Sequence, residues 1–362
     1  MTTRVHNFNA GPATLPLPVL QQVQTDLLDF GGTGMSILET SHRGPVYDEI
    51  HQQAIADLRE LFGGSDDHAI LFMGGGAQTQ FALIPMNLLP QGRHAAYLET
   101  GVWGEAARQE ASKIGDARTL WSSAASGHDR VPGPDDYQVP PDAAYLHYTS
   151  NNSIMGTQYA AVPEAGAVPL VCDMSSDILS YPVDVKRFGL IYGGAQKNMG
   201  AAGVTLVVIR RDLLARCRAD LPTMLSYAGM AATNSLQNTP PVFAIYVVGL
   251  VARYMLERGG MAAMAARNDE KASLLYGAID DSGGFYRGHA QPGSRSRMNV
   301  TFHLPNDELT ALFVSAAAGE GLQGLKGHQA LGGIRVSLYN AVTVEAVRAL
   351  AGFMAAFRHQ HG

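Results

Sequence analysis

Hydrophobic positions along this chain recur with two different periods, and the alternation between them sets the expected fold. Over 45–62 (PVYDEIHQQAIADLRELF), Val46, Ile50, Ala54, Leu58 and Phe62 come at every fourth position until Gly63 and Gly64 interrupt them. That spacing predicts an amphipathic helix with a glycine stop. Seven short runs read instead as strands, at 69–73, 95–99, 117–121, 144–148, 168–172, 188–192 and 204–209. Most are continuously apolar, as strands covered on both faces are. Helical stretches at 77–89 and 103–114 fall between them. Alternation of strand and helix on this scale predicts an α/β fold with a mainly parallel sheet and helices on both faces.

Two longer helices follow, at 241–258 and 261–281. Asn238-Thr239-Pro240-Pro241 reads as a cap followed by prolines, and Gly259-Gly260 as the stop. Beyond them a strand (298–304), a helix (307–318), a strand (334–339) and a helix (342–358) predict a smaller α/β lobe. Residues 122–142, rich in Pro, Gly, Ser and Asp, read as a surface excursion rather than a linker. The chain shows neither an internal repeat nor a low-complexity tract.

With 362 residues the chain calls for two or three units. A 46% hydrophobic and 16% charged composition supplies a core and excludes wholesale disorder. The apolar run 243–251 is nine residues, about half a membrane span. The opening MTTRVHNFNAGP carries no apolar signal core, so the expected location is the cytoplasm. Cys172 and Cys217 lie 45 positions apart without a CxxC, which fits a reducing compartment and gives no thiolate metal site. A net charge of −6 excludes a generic nucleic-acid or anionic-membrane binder.

Candidate chemistry centres on Gly193-Gly194-Ala195-Gln196-Lys197-Asn198, directly after the run FGLIY. Most lysines are solvated charges, but Lys197 sits between two buried-type strands among small residues. Desolvated there, its amine would be free for Schiff-base chemistry. Asp173 ends the run VPLVCD, 24 positions earlier, one strand connection away. Alone it is an ordinary strand-end acid. Beside Lys197 it completes the pair that pyridoxal phosphate requires, a lysine for the aldehyde and an acid for the ring nitrogen. Gly74-Gly75-Gly76-Ala77 opens a helix after a strand, where backbone amides could meet a phosphate, although a triple glycine is more often a plain turn. A dinucleotide site competes there, with Glu99 near the right distance but the third glycine missing. Trp103, after the run AAYLE, is placed to stack on a flat ring or simply to pack on its helix. Ser153 reads as a ring or phosphate contact or a turn hydroxyl, and Asn238 and Thr239 read equally as caps. His42, Arg43, Lys326, His328 and Arg335 all neighbour small residues and suggest an anionic substrate, although surface arginines are usually solvated.

The segments NFNAGPATLP, GTGMSILETSHRG, GGGAQTQFALIPMNLL, GGAQKN, NTPPVFAIY, SRMNVTF, LKGHQALGG and GGIRVSLYNA resemble the phosphoserine aminotransferase family, of class V and fold type I of the pyridoxal-phosphate enzymes. The likeness runs in consistent order from about residue 6 to 360. It implies a large cofactor domain over 16–258 with a seven-stranded sheet, and a small domain from 1–15 and 259–362. It also implies transamination from L-glutamate to 3-phosphohydroxypyruvate in serine biosynthesis, in a homodimer with shared sites; use in the pyridoxine pathway stays open. By resemblance, Lys197 carries the cofactor, Asp173 pairs with its ring nitrogen and Trp103 stacks on the ring. Ser153 and Gln196 hold its substituents, and Gly76 and Ala77 lie at its phosphate. Asn238 and Thr239 reach the neighbouring subunit's cofactor phosphate. Arg335 binds the substrate α-carboxylate, while His42, Arg43, His328 and Asn9 face substrate. Some relatives carry arginine where this chain has Ala77 and Gln329, which predicts heavier reliance on His42 and Arg43. Three rivals remain: a nicotinamide dehydrogenase, a cysteine desulfurase, which would need a mobile catalytic cysteine where Cys172 lies in a strand pattern and Cys217 follows a surface-type helix, and a non-catalytic scaffold.

Overall fold

The computed structural model describes residues 4–362; residues 1–3 of the amino-terminal segment lie outside the described residues. All seven strand runs enter one sheet. From edge to edge it runs His68–Gly74, Val204–Arg210, Leu190–Gly194, Leu170–Asp173, Leu146–Thr149, His94–Glu99 and Asp116–Ser122. Only Val204–Arg210 is antiparallel to its neighbours, so the carboxyl ends of the other six strands share one edge. Successive residues of each strand face opposite sides. On one side Leu71, Tyr97, Tyr145, Val171 and Tyr192 meet Phe81 and Ile84 of the helix Gln78–Leu88 and Ala107 of the helix Val102–Ser112. On the other, Phe72, Leu98, Leu146, Cys172 and Ile191 meet Ala54 and Leu58 of the helix Pro45–Leu61 and Val248 of the helix Val242–Leu256. The strand Asp116–Ser122 departs from two-sided burial because it is the outer edge, and it guards that edge with an exposed Asp116–Arg118 ion pair.

The caps expected at Asn238 and Thr239 are not formed. The helix begins at Val242, its cap position is Pro241, and no side chain caps it. Each proline disfavours helical backbone at the residue before it, so the turn is delayed past the second one. Asn238 and Thr239 are left exposed. The helix also ends at Leu256, before the expected glycine stop, and Gly259, with φ of 90°, turns the chain into the helix Gly260–Asp280.

A second core collects Phe302, Phe313, Val336, Leu350 and Phe357. These come from the strands Asn299–His303 and Ile334–Ser337 and the helices Asp307–Gly319 and Val344–His361. The amino terminus joins this core: His6–Asn7 pairs in parallel with Leu322–Gln323, and Phe8 is fully buried there. The two cores are stitched by polar bonds. Asn268 donates to Ser180 O at 3.0 Å, Asn340 Nδ2 to Leu179 O at 2.9 Å, and the Asn340 amide to Asn198 Oδ1 at 2.9 Å. Tyr339 Oη donates to Ala10 O at 3.0 Å, which holds the amino-terminal strand beside the carboxyl edge of the large sheet.

Candidate active site

Loops diverge at the carboxyl edge of a parallel sheet and leave a crevice there. Asp173 is the last residue of its strand, and Lys197 follows the adjacent parallel strand by three residues. Both line a cavity of about 370 Å³. The same cavity gathers Gly76, Ala77, Trp103, Ser153, Gln196, His328 and Arg335.

The cavity divides by chemistry. At its floor Asp173 is 5% exposed. Burial pushes its carboxyl up from the ordinary range, against the pull of the Ser175 hydrogen bonds, Lys197 and Tyr192. The Ser175 amide donates to Asp173 Oδ1 at 2.8 Å. A carboxylate so desolvated gains most from a cation placed against it. Lys197 is half-buried, with Nζ 6.0 Å from the centre of the Trp103 ring. That indole donates to Ser153 Oγ at 3.3 Å, which fixes the ring orientation. Gly11, with φ of 137°, runs past the lysine stem; a Cβ there would sit 3.4 Å from Lys197 Cγ in a conformation L residues avoid.

At one wall the helix Gln78–Leu88 begins without a side-chain cap. The Gly75 amide bonds Gly203 O and the Thr79 amide bonds Gly76 O. The amides of Gly76, Ala77 and Gln78 have no intramolecular acceptor among the described residues. Three free amides at a helix start suit a phosphate. Thr149 Oγ1, also in the lining, is buried without a partner. The mouth is cationic. Arg335, on the strand Ile334–Ser337, is half-buried, and burial pulls its guanidinium down from its ordinary value. His328 stands on the loop before that strand.

Pyridoxal phosphate matches this donor set: a lysine amine, a desolvated acid, an aromatic wall and free helix-start amides. Lys271 is the one other inward lysine among the described residues. It is 1% exposed, and burial pushes its amine down to about 7. Its Nζ is committed to Leu338 O at 2.7 Å and Tyr339 O at 2.9 Å, away from the cavity.

Six of the residues singled out for this cofactor or for an anionic substrate are not brought to this cavity within one chain; Lys326, exposed, is one of them. Asn9 is exposed, next to Ala10, which does line it. His42, Arg43 and Asp48 line a separate cleft. His42 and Thr239 line a second one with Ala202, just before the strand that pairs Val204 with Gly74. His42 Nε2 is buried there with no partner, while Asn238 is exposed nearby in sequence. Thr149, Asn151, Ser175, Ser176, Phe81 and Gln78 line the cavity and were not singled out in the sequence. The signal for Ser175 was its place two residues after Asp173; Thr149 had none beyond its place at a strand end.

Similarity to known proteins agrees with this chemistry. A family model described as aminotransferase class-V matches residues 5–350. A phosphoserine aminotransferase of Geobacillus kaustophilus is 53% identical over 357 residues, 99% of each chain. The solved phosphoserine aminotransferase of Bacillus circulans subsp. alkalophilus superposes with a TM-score of 0.98 at 51% identity over 100% of both chains. A pyridoxal-phosphate-bound phosphoserine aminotransferase from Trichomonas vaginalis gives 0.91 at 36% identity, over 97% of this chain and 100% of that one.

Proposed function

From a chain that belongs to the class V aminotransferases, we infer a pyridoxal-phosphate-dependent phosphoserine aminotransferase. It reversibly transfers the amino group of L-glutamate to 3-phosphohydroxypyruvate, giving O-phospho-L-serine and 2-oxoglutarate. The observation that carries this reading is the pairing of Lys197 and Asp173 in one cavity walled by unbonded amides and mouthed by Arg335.

Pyridoxal phosphate, when bound, would supply an aldehyde carbon and an electron-withdrawing ring. Asp173 would keep negative charge against the ring nitrogen. The amides of Gly76, Ala77 and Gln78 would take the phosphate. Trp103 would stack on the ring, and Ser153 and Gln196 would hold its substituents. Once freed, the Lys197 amine takes a proton from the substrate α-carbon and returns it elsewhere, as a general base and then a general acid. Arg335 grips the α-carboxylate through its two-nitrogen fork, which orients that proton toward Lys197. With His328 the mouth also faces the distal end of either substrate, and Asn9, next to the lining residue Ala10, adds a substrate contact. Incubation with ¹⁵N-glutamate and 3-phosphohydroxypyruvate should place the label in phosphoserine; label that stays in glutamate sinks the reading.

Arg335→Lys keeps charge and loses the fork. Affinity for glutamate and phosphoserine should fall together, by about tenfold or more, measured as KM in each direction. A loss confined to phosphoserine would move Arg335 to the distal phosphate.

The site needs a second copy. His42 and Arg43 line one cleft, His42 and Thr239 the next, Asn238 precedes Thr239 in sequence, and His42 carries an unpartnered buried nitrogen, which supports their reaching a neighbour's cofactor and substrate. Leu28 (86% exposed) and Leu38 (60% exposed), just before that cluster in sequence, supply apolar surface for the contact. Mixing Lys197→Ala chains with Arg43→Ala/Thr239→Ala chains should yield activity that neither parent has, because one site per hybrid is intact. No gain on mixing would place each site within one chain. We further assign a cytoplasmic location and a division into 16–258 and 1–15 plus 259–362. Among the described residues no helix is long and apolar enough to cross a membrane.

A further inference from the structure

Asp173 has neighbours in register on both sides: Thr149 on one strand and Tyr192 on the other. Register partners in parallel strands project from the same face, so Tyr192 stands beside the carboxylate. Two positions before Thr149 on that face lies His147, whose Nε2 is 2.9 Å from Tyr192 Oη. The His147 ring lies against Tyr97, with centres 4.9 Å apart. Tyr192 is 0% and His147 is 1% exposed, so no solvent shares these bonds.

The proton positions follow from what is left unpaired. His147 Nδ1 is buried and has no partner. Burial also pushes this imidazole down to about 3, so it is neutral and carries one ring proton. A buried N–H without an acceptor is rarer and costlier than a bare lone pair. The proton therefore sits on Nε2 and is donated to Tyr192 Oη. That leaves Tyr192 its single hydroxyl proton to give, and the carboxylate in register beside it is that of Asp173. The Tyr192 hydroxyl is among the groups that draw the Asp173 carboxyl down against its burial.

We propose that Tyr192 is a positioning residue for Asp173: its hydroxyl donates to the carboxylate, and the Nε2–H of His147 fixes the direction of that donation. The chain His147 to Tyr192 to Asp173 runs from the sheet interior to the cavity floor. It opposes the tendency of a buried acid to pick up a proton, and it aims the carboxylate upward. The other titratable groups around Asp173 are Lys197 after the next strand, Asp177 in the following loop, and Cys172 beside it. The consequence for catalysis rests on Asp173 being the ring-nitrogen partner; the hydrogen-bond chain does not.

Tyr192→Phe keeps the ring and deletes the hydroxyl. With ¹³C-labelled aspartate in the full chain, cofactor-free, the Asp173 carboxyl should titrate about one pH unit higher or more than in the parent. An unchanged midpoint in the folded variant overturns the proposal. In the holoenzyme the pH midpoint of the visible cofactor band should move as well, which lost packing alone would not do. Should the carboxyl shift while the band stays, the chain stands and Asp173 is not the ring partner. The parent protein gives a test independent of the variant's folding. Between about pH 6 and 8, ¹⁵N spectra should show a neutral His147 with its proton on Nε2. A proton on Nδ1, or on both nitrogens, overturns the proposal.

Discussion

Lys197→Ala should fold, retain cofactor binding through the remaining contacts, and lose turnover by about a thousandfold or more. Two jobs vanish together, the covalent anchor and the amine that moves the α-proton. Trp103, Asp173 and the free amides at 76–78 are untouched by the change, so binding should outlast chemistry. Rapid mixing with glutamate separates the two. The variant should take up the substrate amine slowly and stall before proton transfer, and an added small primary amine should restore part of the rate. A glutamate half-reaction at the parental rate would exclude Lys197 as the base.

Asp173→Asn should cost about 10²–10³-fold in kcat, the scale for removing one preorganised charge from a reacting centre. The amide has nearly the same shape and still accepts the Ser175 amide hydrogen bond at Oδ1. The lost term is electrostatic. Stability should move the other way. The carboxyl is held above its ordinary value by burial, so the folded cofactor-free state binds a proton more readily than the unfolded chain does. Stability from this group is therefore lost as pH rises through the carboxylate range and regained as pH falls. Near neutral pH cofactor-free Asp173→Asn should melt no lower than the parent, and any advantage should shrink on acidification. Equal kcat in parent and variant would remove Asp173 from the chemistry. A lower melting temperature at neutral pH would mean that the carboxylate is already paired without cofactor.

The main sheet was legible in the sequence because buried parallel strands must be short, apolar and separated by helices. Runs such as Val204–Ile209 leave little choice. Placing Asp173 and Lys197 at one edge followed from the same logic, since adjacent parallel strands end together. The antiparallel direction of Val204–Arg210 was not legible, because a strand pattern carries no sign. Thr149 and Tyr192 were missed for a related reason: register, which makes them the neighbours of Asp173, is a property of pairing rather than of either run. At Asn238 and Thr239 cap propensity competed with two following prolines, and the prolines decided. For His42 and Arg43 the residues themselves suggested only an anionic substrate, and the cross-subunit role of Asn238 and Thr239 came from family likeness alone. One chain does not bring them to the Lys197 cavity, and no periodicity could have said which cleft they serve. Lys271 is the instructive counterexample. Its sequence context is an ordinary helix, yet it is more deeply buried than Lys197, so burial of an amine does not by itself identify a reactive one.

That contrast sets the decisive measurement. Reduce the yellow holoprotein with borohydride, digest it, and weigh the peptides that carry Lys113, Lys186, Lys197, Lys271 and Lys326. The peptide with Lys197 should gain the mass of one reduced cofactor and the other four none. An unmodified Lys197 peptide, or the added mass on Lys271, would contradict the assignment of Lys197 as the cofactor's anchor.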